Sequence, residues 1–377
     1  MIKEWGPLRF LLFYRIEKDD EELINNIMNA AVMNKPLSIE LKKVKRPSPG
    51  PNEALIKVKC IGICGSDIHY FEHGKIGRYI VDKPIILGHE VAGEIVEIGE
   101  NVKNVFVGDR VAIEPGVTCG RCEYCKTGRY NLCPDVFFLA TPPDDGAWAD
   151  YLVMRSDVLF KLPDNMSYEE GAMLEPLSVG YHAMNRAQVK PSDRVLILGM
   201  GPIGLLAIQA AKLFGVKEIY ACDVVPFRLE SALKMGATAV FNPMEVNVDE
   251  QLKIWTKGEG INVVIESSGN RNSISNAVLY ARQGGRVVFI GLPPENQVTL
   301  DINRIIDSEL NIYGVMRYAN TYSDSIKSYA GSGLDTRDII THNFALNQIN
   351  EALEVVRRQK DIAIKVMIYP DPADVPS

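Results

Sequence analysis

The sequence predicts an α/β protein of two domains: a compact, barrel-like β-rich part with long loops, and a doubly wound sheet of six parallel strands. Three observations predict it. Between Ala30 and Leu162, segments such as Leu55-Ile56-Lys57-Val58-Lys59 alternate apolar and charged residues, the period of a half-buried strand. Past Pro163 the pattern changes to continuous apolar runs such as Val195-Leu196-Ile197-Leu198, which suit strands buried on both faces. At 377 residues the chain is longer than a typical single domain, so two cores are expected.

Composition narrows the function classes. Hydrophobic content of 46% with 24% charged residues fits a soluble globular chain. A net charge of -7, from 41 basic and 48 acidic side chains, argues against an electrostatic nucleic-acid binder. No run approaches the roughly eighteen apolar residues that a membrane helix needs. Seven cysteines, an odd number at metal-like spacings and without a secretion signal, point to a reducing cytoplasm. The short apolar run from Trp5 to Tyr14 is followed by no small-residue cleavage site, so residues 1–28 are read as an extension of unassigned role.

In the β-rich part, strands are expected at Ala30 to Val32, Leu55 to Lys59, Val91 to Ile98 and Arg110 to Ile113. Gly108-Asp109 marks a turn, and Pro47, Pro49, Pro51 and Pro84 mark loops. Cys64-Gly65-Ser66-Asp67-Ile68-His69, followed later by Gly88-His89-Glu90, supplies a thiolate, an imidazole and a carboxylate that one zinc ion can gather. Three mixed donors leave a fourth position open, as a catalytic zinc requires. The alternative is a buried cysteine and a histidine satisfied within the core. Cys119, Cys122 and Cys125 stand at intervals of three, with Cys133 eight residues on, and four thiolates close a structural zinc site. Disulfides are one alternative. A nucleic-acid zinc knuckle is the other, opposed by the acidic chain with only Arg121, Lys126 and Arg129 nearby.

After the run at 195–198 comes Gly199-Met-Gly201-Pro202-Ile203-Gly204, then a helical stretch from Leu205 to Phe214, then an apolar run from Glu218 to Cys222 ending at Asp223. Strand, glycine turn, helix, strand and acid form the order of a dinucleotide-binding unit. Gly199 makes the turn, Gly201 admits the pyrophosphate and Gly204 lets helix meet strand. Asp223 is expected on the ribose hydroxyls and against a 2′-phosphate, which means NAD rather than NADP. Pro202, Ile203 and Arg228 complete the cofactor-binding set. Further strands at Thr238 to Phe241, Val263 to Glu266, Val287 to Ile290 and Leu310 to Tyr313, with helices near Phe227 to Met235 and Ile274 to Arg282, bring the parallel count to six. Ala363 to Tyr369 reads as a strand returning to the first domain.

The strings GICGSDIHY, GHEVAG, FFLATPPDDG, EPLSVGYHA and VMRYANTY, with the four-cysteine lobe, resemble the medium-chain zinc-dependent alcohol dehydrogenases and, within them, the sorbitol (polyol) dehydrogenase family. The likeness runs from about Ala30 to the end. It implies a GroES-like catalytic domain over 29–177 and 318–377 around a Rossmann domain over 178–317. It implies a catalytic zinc on Cys64, His89 and Glu90, with Glu175 either beside a water on the metal or itself a ligand. A carboxylate at Glu175, where some alcohol dehydrogenases carry cysteine, favours the polyol branch. Ser66 and His69 match a proton relay, and Asp67 the acid that orients His89. Tyr70, Phe138, Arg317 and Tyr318 match residues lining the substrate site.

The resemblance implies oxidation of a secondary alcohol of a sugar alcohol, sorbitol or xylitol type, to the ketose, by a homotetramer holding two zinc ions per chain. Alternatives are a threonine 3-dehydrogenase-like enzyme or another medium-chain secondary alcohol dehydrogenase, and a non-catalytic zinc and nucleotide-binding relative. Whether Glu175 polarises water, ligates metal or orients a substrate hydroxyl stays open at this point. Ser66 bonding only backbone and His69 lying on the surface are the plain readings of those two residues.

Overall fold

The computed structural model describes residues 26–294 and 297–376. The apolar run from Trp5 to Tyr14, within the extension, lies outside the described residues. The first strand opens at Ile27, ahead of the alternation expected from Ala30, and Met28 within it is buried.

Seven strands make the first large sheet. Its path runs Leu159–Lys161, Arg110–Ile113, Glu90–Ile98, Glu53–Gly62, Lys365–Tyr369 and Ile340–Ala345, with Tyr151–Arg155 also on Glu53–Gly62. A smaller sheet of Ser38–Lys45, Ile27–Lys35 and Ile85–Ile86 shares its core. Lys365–Tyr369 pairs antiparallel with Glu53–Gly62, so the C-terminal segment does return to the first domain as the strand pattern suggested. The second sheet is parallel throughout, ordered Ala239–Phe241, Glu218–Cys222, Arg194–Leu198, Ile261–Glu266, Ala281–Phe289, Asn311–Gly314. Counted along the chain that order is 3-2-1-4-5-6, the doubly wound dinucleotide-binding topology. All six residues of Ile261–Glu266 are buried, which is why no alternation marks that strand.

Two departures from the sequence reading bear on function. Gly65–His73 is a helix, where the sequence suggested strands and loops. Asp67 at its third position accepts a hydrogen bond from the Cys64 backbone N–H, and Gly74 closes it in the left-handed region at φ 68°. The helix expected to Arg282 ends at Tyr280, and Ala281–Phe289 begins the next strand at once. A third element, Tyr168–Arg186, joins the two halves. Its N-terminus is capped by Ser167 with Glu170, and it packs on Glu53–Gly62 and Glu90–Ile98 at one end and on helix Pro202–Leu213 along the other. A Cβ at Gly180 would lie 3.0 Å from the Ala207 Cα, so glycine sets the closeness of that helix pair.

Candidate active site

The helix Gly65–His73 and the strand Glu90–Ile98 bring the first donor set together. One ligand atom from each of Cys64, His89 and Glu90 lies within 4.8 Å of the others, with His89 and Glu90 buried. Asp67, wholly buried, organises this cluster. Its Oδ2 accepts from the Cys64 N–H at 2.9 Å, its Oδ1 from the Gly88 N–H at 3.1 Å, and the same Oδ1 stands 3.6 Å from His89 Nδ1. Burial opposes a charged His89 ring, yet Asp67 and Cys64 beside it carry its pKa well above the usual imidazole value. Sulfur, nitrogen and oxygen donors gathered in one place fit zinc.

Glu175 projects from Tyr168–Arg186 and is buried, but it is not one of the three clustered donors. Its Oε1 accepts from the Tyr318 hydroxyl at 2.8 Å. Burial raises its pKa, His89 opposes that shift and Glu90 adds to it, so it stands in the field of the cluster without joining it. Arg317 lies with its guanidinium 3.6 Å from the Phe138 ring centroid, and Phe138 in turn sits 5.9 Å from the His89 ring. Among the described residues Arg317 makes no ion pair. Desolvation lowers its pKa, with Tyr79, Tyr318 and Glu175 acting the other way. Tyr70 is buried beside this group; burial pushes its hydroxyl up to about 12, and Arg317 opposes the rise. Ser66 is half-buried on the same helix, while His69 is exposed and meets His73 edge-on at 4.8 Å.

Sequence reasoning missed Lys365. Its Nζ donates to both carboxylate oxygens of Glu90, at 2.8 and 2.6 Å, and to the Ile63 carbonyl at 3.1 Å, with lysine and glutamate each 1% exposed. One signal was available: a single cation inside the otherwise apolar run Ala363 to Tyr369.

The four cysteines also gather. Sγ separations are 3.4 Å for Cys122 and Cys125 and 3.9 Å for Cys119 and Cys125, and Cys133 belongs to the same group. A tetrahedron of zinc–sulfur bonds of about 2.3 Å has sulfur edges of about 3.8 Å. All seven cysteines are free, so the disulfide alternative falls. Backbone N–H groups of Arg121 and Cys122 draw the Cys119 thiol down to about 6, toward the thiolate a metal needs.

In the parallel sheet, Gly199 turns at φ 90°, and a Cβ at Gly204 would sit 1.8 Å from the Gly199 carbonyl oxygen. Gly201, Pro202 and Ile203 open the helix, and a Cβ at Gly201 would meet open space. Asp223 caps this turn: its Oδ2 accepts from the Met200 N–H at 2.6 Å and its Oδ1 from the Val225 N–H at 2.9 Å. Arg228 is turned elsewhere in part, its Nη2 donating to the Lys360 carbonyl at 3.0 Å.

A three-donor cluster that fits zinc and a dinucleotide-type glycine turn, carried on these two sheets, define a zinc-binding dehydrogenase. Residues 50–164 match the alcohol dehydrogenase GroES-like domain and residues 202–330 the zinc-binding dehydrogenase domain. The sorbitol dehydrogenase of Bacillus subtilis (strain 168) is 48% identical over 344 residues, 91% of this chain and 98% of that one. That of Bos taurus is 40% identical over 348 residues, 91% of this chain and 96% of its own. Among solved structures, an Escherichia coli oxidoreductase of unknown specificity superposes with a TM-score of 0.87 at 37% identity, covering 91% of this chain and 99% of that one. The chain belongs to the sorbitol dehydrogenase family of zinc- and nicotinamide-dependent dehydrogenases. No helix of the described residues is long and apolar enough to cross a membrane.

Proposed function

We propose that this protein oxidises a secondary hydroxyl of a sugar alcohol of the sorbitol or xylitol type to the ketose, with NAD as hydride acceptor. The observation that carries the substrate reading is Arg317: a guanidinium held over Phe138, next to the metal-binding histidine and in the field of Glu175. Such a fork of donors suits a row of hydroxyls better than an alkyl chain. Zinc held by Cys64, His89 and Glu90 would supply Lewis-acid polarisation of the alcohol oxygen, and a bound nicotinamide would supply the hydride acceptor.

The chain's own groups do the remainder. Ser66 accepts the hydroxyl proton as it gives up its own, and His69, exposed on the same helix, passes the released proton to solvent. Asp67 fixes the backbone of Cys64 and Gly88. The Tyr318 hydrogen bond, with a place outside the three-donor cluster, supports Glu175 as the group that orients a substrate hydroxyl. Tyr70 and Phe138 wall the site. Asp223 supports NAD over NADP, because its carboxylate beside the glycine turn would face a 2′-phosphate of like charge. We further read one catalytic and one structural zinc per chain, and a homotetramer, on family likeness and the two donor sets.

NADH formation from a panel of polyols, threonine and 2-butanol tests this, with the native protein and Arg317→Ala. Sorbitol or xylitol should be the preferred substrate, and Arg317→Ala should cost it roughly 1.5 to 3 kcal/mol of transition-state binding while 2-butanol loses far less. Equal losses on both alcohols would leave Arg317 without a substrate role.

A further inference from the structure

We propose that the four-cysteine lobe is a substrate-positioning device: through Tyr130 and Asn131 it holds the loop that carries Arg317 and Tyr318. The inference rests on the reading of those two as substrate residues. Three hydrogen bonds cross from lobe to loop, and they bracket the pair. Asn131 Nδ2 donates to the Met316 carbonyl at 2.8 Å, just before Arg317. Beyond Tyr318, the Asn320 N–H donates to the Tyr130 hydroxyl at 2.8 Å, and Asn320 Nδ2 donates to the Gly128 carbonyl at 2.6 Å. The Tyr130 hydroxyl donates onward to the buried carboxyl of Glu114 at 2.8 Å, so the clamp is anchored in the first domain.

The loop needs such a clamp. Arg317 and Asn320 both sit in the left-handed region, at φ 51° and 57°; asparagine tolerates it, whereas a long side chain such as arginine is uncommon there and is kept by its surroundings. The lobe can be rigid enough to do so. Tyr130 lies five residues after Cys125 and three before Cys133, in the short 3-10 turn Tyr130–Leu132 between two of the four thiols. Gly128, the third contact, lies in the same span. A lobe that would otherwise count only for stability therefore sets where the substrate donors stand, and Tyr130, Asn131 and Asn320 are positioning residues.

Asn131→Ala and Tyr130→Phe test this beside Arg317→Ala, with sorbitol and 2-butanol as alcohols in steady-state kinetics. Calorimetric affinity of sorbitol for the NADH-bound protein gives a second readout. Each lobe variant should lower kcat/KM for sorbitol about tenfold and weaken its binding in parallel, leaving 2-butanol and the KM for NAD near native values. Adding Asn131→Ala to Arg317→Ala should then change sorbitol turnover little, since the arginine it positions is gone. A selective effect of Arg317→Ala with none from either lobe variant would overturn the clamp alone. Loss of selectivity from Arg317→Ala itself would overturn the substrate reading and the clamp with it. Equal losses on both alcohols from the lobe variants would show a purely structural lobe.

Discussion

Glu114 follows the strand Arg110–Ile113 and is buried with a single hydroxyl partner, Tyr130. Burial pushes its carboxyl up to about 7; the Tyr130 hydrogen bond opposes the rise, and Asp157 and Glu175 add to it. The native state thus binds this proton more tightly than the unfolded chain between the ordinary value of 4.5 and about 7. Stability from this group is full below that window and is lost as pH climbs through it, by about 3 kcal/mol at most. Glu114→Gln stays neutral and keeps an oxygen for Tyr130. It should gain on the native protein by up to that amount between pH 5 and pH 8 in urea midpoints, and an unchanged difference would show that the carboxyl is not buried in its charged form. Lys365 and Glu90 are the opposite case, two buried charges that satisfy each other. Neither could be read as a pair from the chain, because 275 residues separate them and only the return of Lys365–Tyr369 onto Glu53–Gly62 makes them neighbours.

At the scale of elements, what the sequence disclosed followed from local chemistry. The glycine turn was legible because Gly199 must adopt a positive φ and Gly204 has no room for a Cβ, and the lobe because four thiols in fifteen residues have few other uses. Gly65–His73 was not legible: nine residues with one buried face carry too weak a period, and its start depends on an Asp67 cap visible only in three dimensions. Nor did the sequence show that Tyr168–Arg186 is one continuous helix, since Pro176 lies inside it. The lobe also makes a prediction of its own. Its α-helical turn, Glu123–Lys126, has no buried residue, so the proposed structural metal rather than packing would hold it. Elemental analysis should find two zinc ions per native chain and one in Cys122→Ser, with the variant's unfolding midpoint lowered and the remaining ion still at Cys64, His89 and Glu90. One ion or none in well-folded native protein would overturn the count.

The whole molecule poses the question of whether its two sheets unfold together. Domains joined by small polar interfaces generally separate, whereas a large apolar junction couples them. Here one core cluster spans the junction: Cys60 and Ala92 from the first sheet, Leu174 and Leu177 from the joining helix, and Leu205, Ile208 and Val263 from the second region are all buried within it. Two further cores flank it, one inside the first domain around Trp148 and one on the far face of the parallel sheet around Leu196 and Val264. Parting the domains would expose the apolar side chains that this cluster shares across the junction, so the flanking cores should open in one transition. Native-state hydrogen exchange in rising denaturant reads this directly: amides of Glu53–Gly62 and of Ile261–Glu266 should converge on the same opening free energy. Gly180→Leu supplies the contrast, because its side chain would meet the Ala207 backbone, which cannot turn aside, and must wedge the joining helix from Pro202–Leu213. In that variant the two strands should exchange at separate free energies, the gap measuring what the junction contributes; separate values already in the native protein would mean that the shared core does not couple the halves.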